Sequence, residues 1–297
     1  LGLAIFDGQD VSLLPAPPMW STAFIHAIAS HSGVIYVQSD RGLYAVIDEQ
    51  AVLIDENLQF SPAEFFVEPD GVLLASEQGV QRIRRSGDRF SVQTVSSIPA
   101  RAVVVDAQTV WFGSEEGLFR MAGQEAIEVA SVPVRRFLST PSGLLVGRED
   151  GLFSLNGEEI PVSGGCFVTD MTQLADGRLV LACGDGVRIG RPGEAWEVLD
   201  ATSGLPGPVI TAVTIDRHGL LWIGTYGNGL VRLNSLDVLI WNRESQLFSN
   251  QITTLVPDGE GLLIGGLGGA VRVEADFSVT PLSVNPDVRH IVRGRTG

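Results

Sequence analysis

The sequence predicts an all-β protein, a β-propeller of seven or eight four-stranded blades, with eight preferred. Three observations support this prediction. The 297 residues include 35 Gly and only 19% charged residues, a composition typical of short buried strands joined by tight turns. Helical periodicity with capping residues is hard to find. Several segments of about 40 residues are copies of one unit, as expected for propeller blades.

The clearest copy of this unit runs from Ser203 to Leu233. Its β-branched and apolar runs are separated by turn signals, among them Asn228-Gly229, a dipeptide that favours tight hairpins. The predicted strands are Val209 to Ile215, Leu220 to Thr225, Leu230 to Leu233 and Asp237 to Asn242. The unit therefore predicts one antiparallel blade.

Six further complete copies are recognised by the glycine that matches Gly229. These glycines are Gly42, Gly79, Gly117, Gly151, Gly186 and Gly269. The two ends supply partial copies, Gly2 to Gly8 and Val288 to Gly297, which are expected to share an incomplete eighth blade. Neither partial copy contains a second strand, so seven blades are the alternative. We expect one domain over residues 1–297, as a part of a longer signalling protein.

The copy at 203–233 also carries a specific motif. Its residues are Gly204-Leu205-Pro206, Ile210, Asp216, Gly219, Leu221 to Thr225 and Gly229-Leu230. This motif resembles the repeat of the regulator propellers, the extracytoplasmic sensor regions of bacterial two-component and related signalling proteins. The resemblance is confined to this copy.

The resemblance implies a periplasmic or extracytoplasmic input module of a histidine kinase or cyclase type protein, without catalytic activity. It implies a carbohydrate or another small polar molecule as ligand and downstream signalling domains in the same chain, and it allows a homodimer of the full-length protein. A propeller enzyme of lyase or lactonase type and a protein-interaction scaffold are the alternatives.

The charge of the chain argues against several partner classes. The formal net charge is −15, and all 20 basic residues are Arg. Such an acidic surface repels phosphate backbones and anionic lipids, so nucleic-acid and membrane-surface binding are not expected. The absence of Lys excludes Schiff-base chemistry within this chain. No apolar run reaches the ~18 residues that a membrane helix requires.

Aligning the copies places mostly polar side chains at the position of Ala212, in the middle of the predicted innermost strand. They are His26, Glu64, Arg101, Arg136, Asp170, Thr254 and His290. The next position is apolar in each copy, so period-2 alternation predicts that the polar side chains face a wet axial channel. We expect them to bind a small polar or anionic ligand, with Arg as the carboxylate clamp.

The alternative for this polar ring is purely structural. Glu64 with Arg101, and Arg136 with Asp170, would then be ion pairs between adjacent blades that satisfy one another. Two aromatic residues, Trp20 and Tyr226, are further ligand-stacking candidates because they lie in predicted loops at one end of the ring, and packing at the rim is the alternative for both.

Other polar residues are not expected to form a site. Acidic residues before the hairpin glycines suit tight-turn geometry; they are Asp40, Glu77, Glu115, Glu116, Glu149, Asp150 and Asp185. The four His show no metal-ligand spacing, and Arg side chains would oppose a calcium ion. We therefore predict no catalytic residues, no metal and no cofactor. Trp111 and Trp222 are predicted to be core residues between blades.

The two cysteines are aligned with opposite ends of one hairpin. On the template of the clearest copy, Cys166 matches Pro208 and Cys183 matches Thr225, so the pair should lie within the ~7 Å Cα separation that a disulfide tolerates. The even number agrees with the oxidising compartment that the resemblance implies, but two buried free thiols are the open alternative.

Overall fold

The computed structural model describes residues 4–6, 11–13, 24–48, 50–58, 64–207, 209–216, 218–233, 238–242, 247–259, 261–274, 276, 278–282, 287–288 and 290–291, of which 4–6, 11–13 and 238–240 are described by their backbone alone. In this part of the chain, the strands form seven four-stranded antiparallel sheets and one two-stranded sheet. Each four-stranded sheet pairs its strands in chain order, as a propeller blade does. The all-β propeller class is confirmed, with seven blades.

The chain divides into two compact units, and the first comprises Leu1–Arg135 with Val292–Gly297. It holds the two-stranded sheet β1–β2 and blades 1 to 3, which are β3–β6, β7–β10 and β11–β14. Its strands are β1 (Ala4–Phe6), β2 (Val11–Leu13), β3 (Ile25–His31), β4 (Val34–Ser39), β5 (Gly42–Ile47), β6 (Gln50–Asp55), β7 (Glu64–Glu68), β8 (Gly71–Ser76), β9 (Gly79–Ser86), β10 (Arg89–Ser96), β11 (Ala102–Asp106), β12 (Thr109–Gly113), β13 (Leu118–Ala122) and β14 (Glu125–Ala130).

The second unit comprises Arg136–Ile291 and holds blades 4 to 7, which are β15–β18, β19–β22, β23–β26 and β27–β30. Its strands are β15 (Arg136–Thr140), β16 (Gly143–Gly147), β17 (Leu152–Ser154), β18 (Glu159–Ile160), β19 (Val168–Gln173), β20 (Leu179–Cys183), β21 (Gly186–Gly190), β22 (Glu197–Leu199), β23 (Ile210–Ile215), β24 (Leu221–Thr225), β25 (Leu230–Leu233), β26 (Val238–Trp241), β27 (Ile252–Asp258), β28 (Gly261–Gly266), β29 (Gly269–Val273) and β30 (Val279–Leu282). A short 3₁₀ helix, Ala201–Ser203, precedes β23, and no helix among the described residues is long and apolar enough to cross a membrane.

The preferred number of eight blades was wrong. Among the described residues, β1 pairs with β2 alone, and Val288 and Ile291 near the chain end lie outside any strand. A blade requires a second strand that pairs on both of its sides, and neither partial copy supplies one. The four strands of the clearest copy form blade 6 close to their predicted bounds.

The hydrophobic core lies between neighbouring blades. In unit 2, Val180 and Val187 of blade 5 pack with Ile210 and Ile223 of blade 6 in one buried cluster. Trp222 of blade 6 packs in the next cluster with Ile252 of blade 7. Within a unit, neighbouring blades therefore bury each other, which explains why both faces of the strands are apolar.

Trp222 is a core residue as predicted, but the same prediction for Trp111 was wrong. Trp222 is 4% exposed and stacks on Trp241 with 5.6 Å between ring centroids. Trp111 is only partly buried. In blade 3 the buried aromatic volume comes from the next residue, Phe112, whose ring stacks on Phe119 at 5.2 Å between centroids. Phe112 points to the opposite sheet face, because successive strand side chains alternate.

Candidate functional site

The first strand of each blade carries the predicted polar position, and strand pairing shows where each residue lies. In blade 6, Ala212 is paired with Gly224, after a register shift that leaves Thr211 as the extra residue. Such a β-bulge bends the strand and turns the extra residue out of the ladder. In every other blade, the residue that pairs with the equivalent of Gly224 is therefore the equivalent of Ala212.

In unit 1 the alignment of two predicted site residues was wrong by one position. In blade 1, Ala27 is paired with Gln38 and His26 is the bulged residue, so His26 matches Thr211. In blade 3, Ala102 is paired with Gly113, and Arg101 precedes it. In blade 1 the bulge adds a residue that the sequence pattern alone does not reveal. Glu64 lies in the expected register, paired with Ala75.

Arg101 contacts the hairpin between the second and third strands of its own blade. Its Nη1 forms an ion pair with Oε1 of Glu115, in the turn between β12 and β13. The Arg101 side chain remains 32% exposed, and that of Glu115 49%. An ion pair with this exposure contributes little to stability. Its effect is to orient the guanidinium of Arg101 toward the hairpin of its own blade.

In unit 2 the predicted register is correct for four residues. They are paired with small residues of the second strand: Arg136 with Gly147, Asp170 with Ala182, Ala212 with Gly224 and Thr254 with Gly265. Arg136, Asp170 and Thr254 are partly buried, while Ala212 is buried. His290 is exposed and lies outside any strand.

Asp170 connects three successive blades of unit 2. Its Oδ1 accepts from the backbone N–H of Met171 and its Oδ2 from that of Val213 in blade 6, both at 3.0 Å. Nε of Arg136 in blade 4 is 3.9 Å from Oδ1, so this pair forms as the structural alternative described. Burial raises the pKa of Asp170, and the opposing effects of Arg136 and the two N–H groups are smaller.

Three threonines at the bulges were missed by the sequence interpretation. Each hydroxyl contacts a carbonyl of its own second strand and a second carbonyl, which lies on the next inner strand for Thr169 and Thr211 and in the segment after blade 7 for Thr253. These three contacts are Thr169 to Ala182 O and Ile210 O, Thr211 to Gly224 O and Ile252 O, and Thr253 to Gly265 O and Val288 O. A Thr at the same position of three successive copies is the sequence signal that could have revealed them. We call this set the threonine links.

Exposed apolar side chains lie where the inner strands of blades 5 and 6 begin. Phe167 is 42% exposed, Val209 45% and Tyr226 54%. The backbone N–H of Tyr226 donates to Val209 O at 2.9 Å, so these two residues lie side by side. Tyr226 is therefore exposed, and its role in stacking on a ligand stays a prediction. Trp20 lies outside the described residues.

The acidic residues before the hairpin glycines form local contacts. Asp40 accepts from the N–H of Phe24, Asp150 forms a bidentate pair with Arg148, and Asp185 accepts from Arg188. These contacts agree with the predicted role in turns. Among the described residues, no group of three or more His, Cys, Asp or Glu could hold a metal ion.

Cys166 and Cys183 form a disulfide, with 5.1 Å between their Cα atoms. Both residues are buried in the cluster between blades 4 and 5. Cys183 is paired with Val168, so the bridge fixes the chain just before the inner strand that carries Asp170. The alternative of two free thiols does not hold in this structure.

Comparison with known sequences supports the resemblance of blade 6. Residues 204–227 match the family described as two component regulator propeller, which confirms the recognition of this copy. The match covers the turn before β23, strands β23 and β24, and the start of the following hairpin. No curated protein matches the chain.

Solved structures share the propeller fold at low identity. A catalytically inactive virginiamycin B lyase from Staphylococcus aureus is 14% identical, with a TM-score of 0.62, over 82% of this chain and 91% of the lyase. The designed protein Ika8 is 12% identical, with a TM-score of 0.60, over 85% and 84% of the two chains. These likenesses establish the fold alone.

A third similar structure is the extracellular domain of BT4673 from B. thetaiotaomicron, described as a hybrid two component system. It is 14% identical, with a TM-score of 0.44, over 86% of this chain. The chain spans 51% of the length of that domain.

Proposed function

We propose that this chain is the ligand-sensing input module of a bacterial signal-transduction protein of the histidine kinase or cyclase type, acting outside the cytoplasm. It binds a small polar molecule or a carbohydrate and catalyses no reaction. The observation that carries this proposal is the match of residues 204–227 to the two component regulator propeller family. A propeller fold by itself would not support it, because propellers also host enzymes and scaffolds.

The inner strands of unit 2 are the proposed ligand site. Arg136 and Asp170 offer a donor and an acceptor at one register, and their side chains are 41% and 28% exposed. Thr254 lies at the same register two blades further on. The exposed Tyr226 lies at the end where the inner strands begin, and aromatic rings stack well on apolar faces of a ligand. For unit 1, taken by itself, we propose Glu64, His26 and Arg101 as candidate ligand contacts.

The disulfide supports the proposed compartment. Disulfides persist in the periplasm and on the cell surface, whereas cytosolic thiols are kept reduced. The bridge between Cys166 and Cys183 is buried, so it is a structural bond rather than an exposed redox centre. We accordingly place the module in the periplasm or at the cell surface.

The proposed partners follow from the same role. A ligand signal must reach signalling domains downstream in the same chain, and a homodimer of the full-length protein is one way to transmit it. The net charge of −15 disfavours nucleic acids and anionic membranes as partners.

A thermal-shift screen of the purified chain against mono- and oligosaccharides and small polar metabolites tests the proposal. A ligand that binds the folded state raises Tm. We expect Asp170→Asn and Thr254→Val to weaken the binding of that ligand. Arg84→Gln is the matched control, since Arg84 forms an exposed ion pair with Asp70 in blade 2. Unchanged affinity in both inner-strand variants would contradict the proposed site.

The same ligand separates a sensor from an enzyme. After prolonged incubation with the chain, the ligand should be recovered unchanged by NMR. Its conversion to a product would contradict the proposed role and favour a lyase or lactonase.

A further inference from the structure

The outermost strand of blade 1, β6, exposes two adjacent apolar side chains. The order of the strands places β6 at the edge of its sheet, as it places β10 in blade 2 and β14 in blade 3. Val52 and Leu53 of β6 are 42% and 47% exposed. Because successive side chains of a strand point to opposite faces, β6 presents one apolar side chain on each face of its edge.

The other outer strands of unit 1 carry charges that β6 lacks. Edge strands of soluble proteins are commonly protected from pairing with another chain by charged residues or Pro. Strand β10 begins with the exposed Arg89, and β14 exposes Glu125 and Glu128. In contrast, the stretch from Gln50 to Ile54 in β6 contains no charged residue. The edge of β6 is therefore open to an added strand over this stretch.

The regular part of the β6 edge is short and firmly held. Its residues pair consecutively with β5, from Gln50 opposite Ile47 to Leu53 opposite Tyr44, and the next residue, Ile54, is bulged out of the ladder. Ile54 packs against the buried cluster between blades 1 and 2. In an antiparallel pair, alternate residues direct N–H and C=O away from the partner strand. These outward groups of β6 can pair with an extended segment.

Acidic residues bracket the uncharged stretch of β6. The dipeptides are Asp48-Glu49 before it and Asp55-Glu56 after it. Antiparallel pairing with β6 of a second copy, centred on Val52, would bring these acidic ends together, and like charges across a strand pair are destabilising. An added strand with Arg or Lys at its ends would meet opposite charges instead. The charge pattern therefore selects a cationic segment over a second copy.

We propose that β6 is a docking edge for an extended segment of a partner protein, whose apolar residues contact Val52 and Leu53 and whose ends carry Arg or Lys. In strand addition, main-chain hydrogen bonds supply affinity and side-chain contacts supply specificity. The formal net charge of −15 also attracts a cationic segment over a long range. The surface lies within unit 1, and the inference does not rest on the proposed ligand site.

Three synthetic peptides test the inference with the full chain. The probe has a Val-Thr-Val-Thr core with two Arg at each end, and fluorescence anisotropy measures its binding at about 0.15 M salt, which screens distant charges. We expect this probe to bind at least about tenfold more tightly than a peptide with Glu in place of every Arg. A third peptide with Pro in place of both Thr lacks two N–H donors and should also bind more weakly.

Hydrogen–deuterium exchange locates the bound probe. Strand addition gives new partners to the outward N–H groups of β6, so exchange in residues 50–53 should slow when the probe is present. Outer strands β10 and β14 should keep their exchange rates. Protection that spares residues 50–53 would overturn the proposal.

Leu53→Glu separates docking on the edge from attraction by charge alone. The substitution removes an apolar contact and adds a negative charge, so docking predicts weaker binding of the Arg probe, whereas charge alone predicts stronger binding. Val129→Glu is the matched control, since Val129 is 43% exposed on the outer strand of blade 3. It should leave the affinity of the probe unchanged, and the melting temperature of each variant shows that it is folded.

Asp48→Asn tests the acidic end of the edge. Asp48 is exposed, and Asn tolerates its positive φ of 47°, so the turn should persist. We expect about threefold weaker binding of the Arg probe, as for the loss of one cross-strand charge pair. Asp88→Asn is the control, since Asp88 is fully exposed in the corresponding hairpin of blade 2.

The remaining outcomes each decide against the proposal. Equal binding of the Arg and Glu peptides would overturn the cationic class of the partner. Absence of binding would show that the acidic dipeptides only keep the edge from aggregating. Dimerisation of the parent chain in sedimentation velocity, lost in Leu53→Glu, would assign the edge to a second copy instead of a partner protein.

Discussion

The glycine of the second strand has a steric role that recurs in three blades of unit 2. A Cβ added to Gly224 would lie 2.9 Å from Cγ2 of Ile252, at the start of the next inner strand. The same addition to Gly147 would lie 2.7 Å from Cγ1 of Val168, and to Gly265 2.6 Å from Cγ1 of Val288. The absent side chain lets the next inner strand approach, so the glycine of the motif is required by packing between blades.

We predict that Gly224→Ala destabilises the chain by about 1–3 kcal/mol, the usual effect of overpacking. Urea unfolding measures the change. Gly184→Ala is the control, since a Cβ there would meet its nearest atom, Cβ of Phe167, at an ordinary 3.8 Å. Equal stabilities of the two variants would contradict the packing role.

Trp222 combines burial with a hydrogen bond. Its Nε1 donates to Oδ2 of Asp216 at 2.8 Å, while Oδ1 of Asp216 accepts the N–H groups of His218 and Leu220. Asp216 thus closes the turn between the first two strands and anchors the indole. This explains why Asp and Trp occur together in the motif.

We predict that Trp222→Ala costs about 3–5 kcal/mol, because it leaves a cavity between blades 6 and 7. Trp111→Ala should cost less, since Trp111 is only partly buried. Chemical denaturation of both variants gives the comparison. A Trp222→Ala protein as stable as Trp111→Ala would disprove the core role.

At the scale of strands and blades, the threonine links join successive inner strands of unit 2. Thr211 Oγ1 lies 3.2 Å from Gly224 O in its own blade and 2.7 Å from Ile252 O in the next. The hydroxyl carries one hydrogen, so this is a shared contact. A bulge is needed to aim the side chain between the two blades.

We predict that Thr211→Val destabilises the chain by about 1 kcal/mol, the net contribution of one hydrogen bond. The substitution keeps the shape of the side chain and removes its donor. Thr94→Val, at an exposed position of β10, should stay within about 0.5 kcal/mol of the parent. The measurement is the free energy of unfolding, and a loss at Thr94 as large as that at Thr211 would argue against the link.

The disulfide acts on blade 5. It closes a segment with a sequence separation of 17 residues, so its removal is expected to cost about 3 kcal/mol on the chain-entropy estimate. We predict a lower Tm for the Cys166→Ser, Cys183→Ser double variant and for the reduced parent. Mass spectrometry of non-reduced peptides from exported protein checks the bond itself, and two free thiols there would refute it.

Most of the strands could be predicted from the sequence. Each residue that was misplaced has a physical reason. Blade 6 was predicted correctly because its turns, its β-branched strand and its motif agree. The position of His26 was shifted because a bulge inserts a residue without changing the apolar pattern, and Arg101 was shifted because it precedes the first paired residue of its strand. The ion pair of Arg136 with Asp170 was one of two open alternatives, and the N–H of Val213 that fixes Asp170 was not expected.

At the scale of the whole molecule, two groups of Asp residues make stability depend on pH in opposite directions. Hydrogen bonds are the largest cause that lowers the pKa of four surface carboxyls: Asp70, Asp176, Asp200 and Asp276. Their stabilising contribution is present above the unfolded pKa of about 4 and is lost as the pH falls through the folded values. Burial raises the pKa of Asp170, so its contribution is present at low pH and is lost as the pH rises through the folded value.

We therefore predict opposite pH slopes for two matched variants. The stability of the parent relative to Asp200→Asn should grow as the pH rises through the carboxyl range. Its stability relative to Asp170→Asn should shrink over the same interval. Melting curves at several pH values measure both, and slopes of the same sign would contradict the assignment.

The threonine links also affect the local unfolding of unit 2. In a repeat array, stability is divided between each repeat and its contacts with the next. Since the links of Thr169 and Thr211 end on the first carbonyl of the following inner strand, opening one blade removes a partner from its successor. Local opening of blades 5, 6 and 7 should thus be concerted, so that their inner-strand amides exchange with solvent deuterium as one foldon rather than blade by blade.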